Sequence, residues 1–314
     1  MGTTAAMITR KLWRALYNPP TTHPLYKRTI TQENNHLMRA AWTVAGLIGI
    51  TLVVLNPSVF LTIIFGVPII LALWGGTFYG TAWAGSIAGV IVKERQQGVY
   101  ELFSLAPGGP LTASWAICTG RLHRDRALKR LFSDLVWTIR AILGFTALSI
   151  VTVLLTPATQ MHGQSILIAT TIVTLMTASY FDHVQAIIMS SLVGIFTAHH
   201  AHNRTDGRLI AMCGFLLLQL FSYISAWFVG FVVFPTLYQQ FGMSGWYADM
   251  LMLLLRVAVF FGIREAIIRI LWILTLQSLN ADTSEFDAAV NFVVNVGVSF
   301  DDLEAMAQAH QQVV

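Results

Sequence analysis

Charge is scarce in this sequence. Only 11% of its 314 residues are Asp, Glu, Lys or Arg, whereas 55% are hydrophobic and the mean hydropathy is +0.65. A water-soluble domain carries roughly a quarter of its residues as charges, so the composition excludes a fold solvated on all sides and puts much of the surface in lipid. Cysteine is nearly missing as well. Cys118 and Cys213 stand far apart and away from other ligand-type residues, which excludes a disulfide scaffold or a cysteine metal site and leaves both as small buried apolar residues. No G-x-x-x-x-G-K-[ST] loop is present, so the chain has no evident means of holding nucleotide phosphates itself. No HExxH, Ser/His/Asp or paired-carboxylate pattern occurs, and neither a catalytic residue nor a cofactor or metal is expected in this chain. The first forty residues have no apolar core followed by a small-residue cleavage site, so a cleavable signal is not expected. The net charge of +4 reports topology rather than a nucleic-acid partner, because Lys and Arg collect on the cytoplasmic side of membrane proteins.

What the sequence does have is long apolar runs. About 20 such residues suffice for a helix to cross the hydrocarbon layer, and six spans are expected: 36–55, 58–92, 135–155, one starting near 164, 209–234 and 250–274. Arg10, Lys11, Arg14, Lys27, Arg28 and Arg39 precede or open the first. Lys93, Arg95, Arg121, Arg124, Arg126, Lys129, Arg130 and Arg140 lie between the second and the first turns of the third. Arg204 and Arg208 fall between the fourth and fifth, and Arg256, Arg264 and Arg269 lie in the sixth. The opposite connectors, around Asn56-Pro57, at 157–163 and at 235–247, contain no Lys or Arg, which puts both termini in the cytoplasm. The expectation is an all-α, multi-pass protein of the cell (plasma or inner) membrane, divided into an N-terminal interfacial helix and linker (1–35), a transmembrane domain (36–274) and an acidic cytoplasmic tail (275–314). The region 164–201 is too long for one span and has Asp182-His183 in its middle. One span to about Tyr180, followed by a cytoplasmic extension or interfacial helix through Phe196, is expected there.

The N-terminal MITRKLWRALY places Ile8, Leu12, Trp13, Leu16 and Tyr17 at helical spacing opposite Arg10, Lys11 and Arg14, which suits a helix in the interface of an anionic leaflet and makes membrane lipids a partner. The tail carries Ser299-Phe-Asp-Asp302, a capping-box pattern, and is expected to form one or two short helices on the cytoplasmic face. His199-His200-Ala-His202 is the only histidine cluster. Adjacent histidines on a helix diverge by about 100°, so the segment is read as an exposed polar turn rather than a metal site. Charges at membrane depth are costly unless paired or hydrated, which makes Asp182, His183 and Arg256 candidates for an intramembrane polar pathway. Glu265 and Arg269 form an i,i+4 pair in the favourable order.

One segment stands apart. After the second run comes VKERQQGVYELFSLAPGGP, in which Val99, Leu102, Phe103 and Leu105 form the apolar side of a short helix flanked by Glu94, Arg95 and Glu101, and 107–110 is expected to end it. The pattern Glu94-Arg95, then Gly98, then Glu101-Leu102-Phe103, then a Leu-Ala-Pro turn resembles E-R-x-x-G-[TV]-x-E-L-L-x-x-[TA]-P of the ABC-2 type exporter permeases. In that family the motif follows the second span and forms the cytoplasmic helix that docks on the ATPase. The resemblance implies a transmembrane permease subunit, a second permease copy or homologue, and separate ABC ATPase partners that hold ATP and magnesium. It implies a coupling segment within 93–134, with Glu94, Arg95, Gly98, Glu101, Leu102 and Phe103 at the contact. The layout is similar too, with Asn18-Pro19 in a short N-terminal helix and both ends inside. The basic run RLHRDRALKRL at 121–131, expected to be an interfacial helix, and the short connector at 235–247 depart from the family and leave the substrate open. Two alternatives remain: a non-transporting accessory or scaffold subunit of a respiratory or photosynthetic complex, and an integral-membrane enzyme acting on lipid.

Overall fold

In the computed structural model, the described residues are 8–21, 23–31, 58–104, 109–125, 162–240, 242 and 245–281, with a few isolated positions between 128 and 147. Side chains are described from 75 and 166 onward in the two longest helices, and not at 102 or 103. The expected spans 36–55 and 135–155 and the tail beyond 281 therefore lie wholly or almost wholly outside the described residues.

Every described element is helical. They are α1 (Ile8–Tyr17), α2 (Pro24–Thr31), α3 (Ser58–Gln96), α4 (Val99–Ser104), α5 (Gly109–Arg124), α6 (His162–His200), α7 (Arg204–Phe228), a π-helical turn (Val229–Val233), α8 (Phe234–Gln240) and α9 (Trp246–Leu279). Among the described residues, Ile166–His200 and Arg204–Gln240 are long and apolar enough to cross a membrane. They differ in one respect: the apolar window of the first is 83% buried inside the protein and that of the second only 22%. Leu209, Leu216, Leu217, Leu220, Phe221, Ile224, Trp227 and Phe228 all project from α7. An exposed apolar surface of this extent points to a membrane or a partner.

The bundle is assembled around α3. Gly76 meets Asp182 and Ala186 of α6, Gly194 of α6 meets Ala84 and Ile87, and Arg95 reaches Ala198, so α3 and α6 run parallel. On another side Gly80 faces Phe215, Gly85 faces Met212 and Gly89 faces Arg208, so α7 runs antiparallel to α3. A Cβ at Gly80 would stand 2.4 Å from the ring of the buried Phe215. Small residues at this spacing let helix axes approach closely, which matters where lipid supplies no hydrophobic drive for association. α9 packs against α6 and α7.

A second layer covers the C-terminal ends of α3 and α6. α1 packs on α6 and α9, α2 on α5, and α5 on α3, α4 and α6. Thr9 donates its backbone N–H (3.4 Å) and its hydroxyl to the Glu265 carboxylate, which thereby sits at the N-terminus of α1, where the helix dipole favours negative charge. Arg28 of α2 forms an ion pair with Glu94 at 3.4 Å.

The fold corrects several sequence expectations. The 164–201 region is one unbroken helix of 39 residues, about 58 Å at 1.5 Å per residue, with no interfacial break after Tyr180. It exceeds the roughly 30 Å hydrocarbon thickness, and its excess length is covered by protein. The connector at 235–247 is helical through Gln240. Residues 111–124, expected to be loop and interfacial sequence, form the buried helix α5, with Ala113, Ala116, Ile117 and Cys118 fully enclosed. The apolar side of α1 at Leu12 and Leu16 is spent on protein rather than lipid, although Tyr17 is exposed. Of the two cysteines, Cys118 is buried and Cys213 is exposed on α7.

Candidate functional site

Two constellations stand out. The first is where α3 ends. Gly98 takes φ +70°, a left-handed value that glycine adopts without a Cβ penalty, and this stops α3 and restarts the chain as α4. Arg95 turns inward: its Nη1 donates to the Ala198 and His199 carbonyls at 2.9 and 3.2 Å, and Gln96 donates to the His202 carbonyl at 3.2 Å. The Ala198 and His199 carbonyls are among those that the C-terminus of α6 leaves without an intrahelical partner, and a cation there is favoured by the helix dipole. Glu94 is 2% exposed. Glu94 and Arg95 therefore hold the bundle together, whereas Glu101 is exposed on α4. The side chains of Leu102 and Phe103 lie outside the described residues.

The anchor of α4 is Tyr100, which is 5% exposed. Its hydroxyl donates to the Pro110 carbonyl (3.1 Å) and lies 2.9 Å from Ser114 Oγ and 3.4 Å from His199 Nε2. Burial raises the Tyr100 pKa above its ordinary value, with the Ser114 hydrogen bond opposing, so the phenol stays protonated and able to donate. His199 also sits 3.4 Å from Ser114 Oγ. It is thus an inward-facing helical residue, not part of an exposed turn as expected. His200 and His202 are exposed. Among the described residues there is no group of His, Cys, Asp and Glu arranged to hold a metal ion.

The second constellation lies where α3, α6, α7 and α9 meet. Arg264, fully buried, donates from Nη1 to Asp182 Oδ1 and from Nη2 to the Asp182 carbonyl at 3.3 Å. Tyr223 donates to the same Asp182 oxygen at 2.9 Å. Gln219 donates to Tyr223 Oη at 2.8 Å and to Thr77 Oγ1 at 3.1 Å. The guanidinium carbon of Arg264 stands 5.3 Å from the Phe260 ring centre and 5.8 Å from that of Tyr223. Inside this network Asp182 Oδ2, Gln185 Oε1, Gln219 Oε1 and Arg264 Nε are buried with no hydrogen-bond partner among the described residues. Buried polar groups are normally satisfied, so the cluster has capacity to hold further hydrogen-bonding groups. It contains no activated nucleophile and no acid/base pair of recognisable geometry.

The candidate pathway residues are not gathered into one site. Asp182 belongs to the network. His183, one residue on, donates from Nδ1 to the Ser179 carbonyl at 2.7 Å and faces Gly75 through Nε2. Arg256 is two helical turns away and has a structural task. Its Nε donates to the Gly230 carbonyl at 2.9 Å, and its guanidinium lies 4.3 Å from the Phe231 ring centre. That carbonyl is short of a donor because Phe234 N–H bonds to Val229 and the next residue, Pro235, has no N–H. The π turn also moves Pro235 away from the carbonyl it would strike in a regular helix.

Sequence reasoning singled out Asp182 and noted Arg264 among the charges at membrane depth without pairing them. The signal for pairing was available, since two opposite charges in separate apolar helices are expected to meet. Gln185, Gln219, Thr77 and Tyr223 were missed because neutral polar residues in an apolar helix carry no charge penalty that flags them. Glu265 and Arg269 do pair as expected, at 3.7 Å. Comparison with protein-family models, curated proteins and solved structures finds no match to this chain.

Proposed function

We propose that this chain is the transmembrane permease subunit of an ATP-driven exporter of the ABC-2 type, with six spans, both termini in the cytoplasm, and ATP and magnesium held by separate ATPase chains. The observation that carries the reading is the place and mounting of α4. A short helix stands at the end of a long membrane-type helix, within the segment that resembles the exporter coupling motif. It is tied through Tyr100 to α5 and α6 and presents Glu101 outward. A partner bound there would push on the ends of α3 and α6 together. Helix directions support the six-span layout: α3 and α6 run one way and α7 the other, as spans two, four and five require. A second permease copy is expected on the exposed face of α7, with lipid as the competing occupant.

The test purifies the intact chain from its native membrane with and without Glu101→Arg. The expected result is an equimolar ATPase bearing a phosphate loop that is retained by the native chain and lost from the variant, while the thermal midpoint is unchanged. Co-purification in fixed stoichiometry with redox or pigment proteins, and no ATPase, would favour the accessory-subunit reading instead. Glu94 is unsuitable for this test because its carboxylate pairs with Arg28 inside the protein.

A further inference from the structure

Four arginines from two helices converge where α5 ends and α7 begins. Arg121 and Arg124 come from α5, Arg204 and Arg208 from α7. The convergence is built by α3. Ser86 accepts a hydrogen bond from Arg121 Nε. At Gly89 the absent side chain leaves the space taken by Arg208, since a Cβ there would stand 2.4 Å from Arg208 Nε and 2.8 Å from its Cγ. Two long cations are thus laid across one face of α3 by small residues spaced three apart.

Arg121 is half-buried and held below its usual pKa, by burial first and then by Arg124, with Arg208 and Arg204 adding to the effect and Asp125 opposing it. Four guanidinium groups close enough to repel one another destabilise the fold unless something negative lies among them. Among the described residues, two carboxylates lie near these four guanidinium groups. Asp125 accepts from the Trp83 indole at 3.0 Å, and Asp206 is 3.4 Å from Asn203 Nδ2. Arg208 Nε is buried without a hydrogen-bond partner among the described residues, and Asn203 gives α7 no side-chain cap. Donors and positive charge thus exceed acceptors and negative charge. Immediately beyond Arg208, Leu209 and Ile210 are more than half exposed, so the cluster sits at the foot of the most exposed apolar helix of the protein.

We infer that this cluster is a binding site for a phosphate group, with Arg121 and Arg208 as its floor and Arg124 and Arg204 as its rim. Planar guanidinium forks match phosphate oxygens in pairs, and a basic cluster beside an apolar surface suits the phosphate of an anionic lipid whose chains lie along α7. A soluble phosphate satisfies the same donors without using Leu209 and Ile210. The inference does not depend on the exporter reading.

The intact chain in neutral detergent is titrated with phosphatidylglycerol, phosphatidylcholine or inorganic phosphate, following thermal midpoint and retained lipid by native mass spectrometry. Phosphatidylglycerol is expected to bind and stabilise, and phosphatidylcholine to do so far less. Competition by millimolar inorganic phosphate would identify a site that also takes free phosphate, and its failure to compete would identify a lipid site; either supports the phosphate assignment. Each arginine near an anionic surface contributes about five-fold in affinity, so Arg124→Gln with Arg204→Gln, both on the rim, should weaken binding about 25-fold. Arg10→Gln with Lys11→Gln, which removes equal charge from exposed positions of α1, should leave it unchanged. Equal binding of the two lipids, or equal loss in both double variants, would overturn the assignment, as would unchanged affinity when Arg121→Gln and Arg208→Gln are combined in a chain that still folds.

Discussion

Replacing Arg264 by Met tests whether the buried pair with Asp182 is the structural centre of the bundle. Arg264 is 0% exposed and Asp182 5%, so removing the guanidinium leaves a carboxylate held by the Tyr223 hydroxyl alone, with its other oxygen already unpartnered. Breaking one side of a buried ion pair costs about 3–5 kcal/mol, most of it the stranded charge. A kcal/mol moves the midpoint by about 2–4 °C in chains of 150–250 residues, so Arg264→Met should lower the midpoint in detergent by on the order of 10 °C. Asp182→Asn combined with Arg264→Met removes both charges and should recover most of that loss. The readout is the thermal midpoint from tryptophan fluorescence, compared across native chain, two singles and the double. Additive losses in the double, or a single variant within a degree or two of the native chain, would show that the two groups do not compensate one another.

Four further outcomes follow. Gly80→Ala drives a methyl into the Phe215 ring and should destabilise by about 1–3 kcal/mol through overpacking, a loss that Phe215→Leu relieves in the same thermal assay. Arg256→Leu strands the Gly230 carbonyl and should cost about 1–3 kcal/mol, and Pro235→Ala, by restoring an N–H, should reduce that cost when the two are combined. Tyr100→Phe removes the hydroxyl that ties α4 to Pro110 and Ser114. It should increase hydrogen exchange at 99–104 while leaving α6 protected. Thr9→Val should release α1 from Glu265, read as faster proteolysis between α1 and α2 with little change in the bundle midpoint.

The long apolar elements were legible because burial and lipid both demand uninterrupted hydrophobic sequence, and α3, α6, α7 and α9 all fall on runs expected to cross. What failed was subtler. Asp182-His183 looks like a break in a span, yet Arg264 arrives from a different helix to neutralise it, and sequence neighbours cannot announce a partner 82 positions away. α5 was invisible because its faces are nearly all buried, at Ala113, Trp115, Ile117 and Cys118, which removes the polar stripe that marks an amphipathic helix. Its start was misjudged for a related reason: Gly109, at φ +66°, and Pro110 open the helix rather than closing the previous one. Glu94 and Arg95 illustrate the limit for the candidate site. A motif shows which residues recur together, but whether a charge serves a partner or a neighbouring helix depends on where α6 ends.

The two constellations are joined by the same two rods. Thr77 and Arg95 lie about 27 Å apart along α3, and Asp182 and His199 about 26 Å apart along α6. Because these helices run parallel and are locked by Gly76 and Gly194, each has one foot in the polar network and the other at the Tyr100 anchor. Close-packed interfaces of this kind move as units rather than bending residue by residue. On the exporter reading, a push at α4 need not travel through a chain of side chains. It would tilt α3 and α6 together, and the strain would fall where they meet α7 and α9, at the Asp182–Arg264 pair and its unpartnered oxygens and nitrogen. A buried ion pair contributes little net stability but holds one arrangement against its neighbours, which is the property that a two-state pathway needs at its pivot.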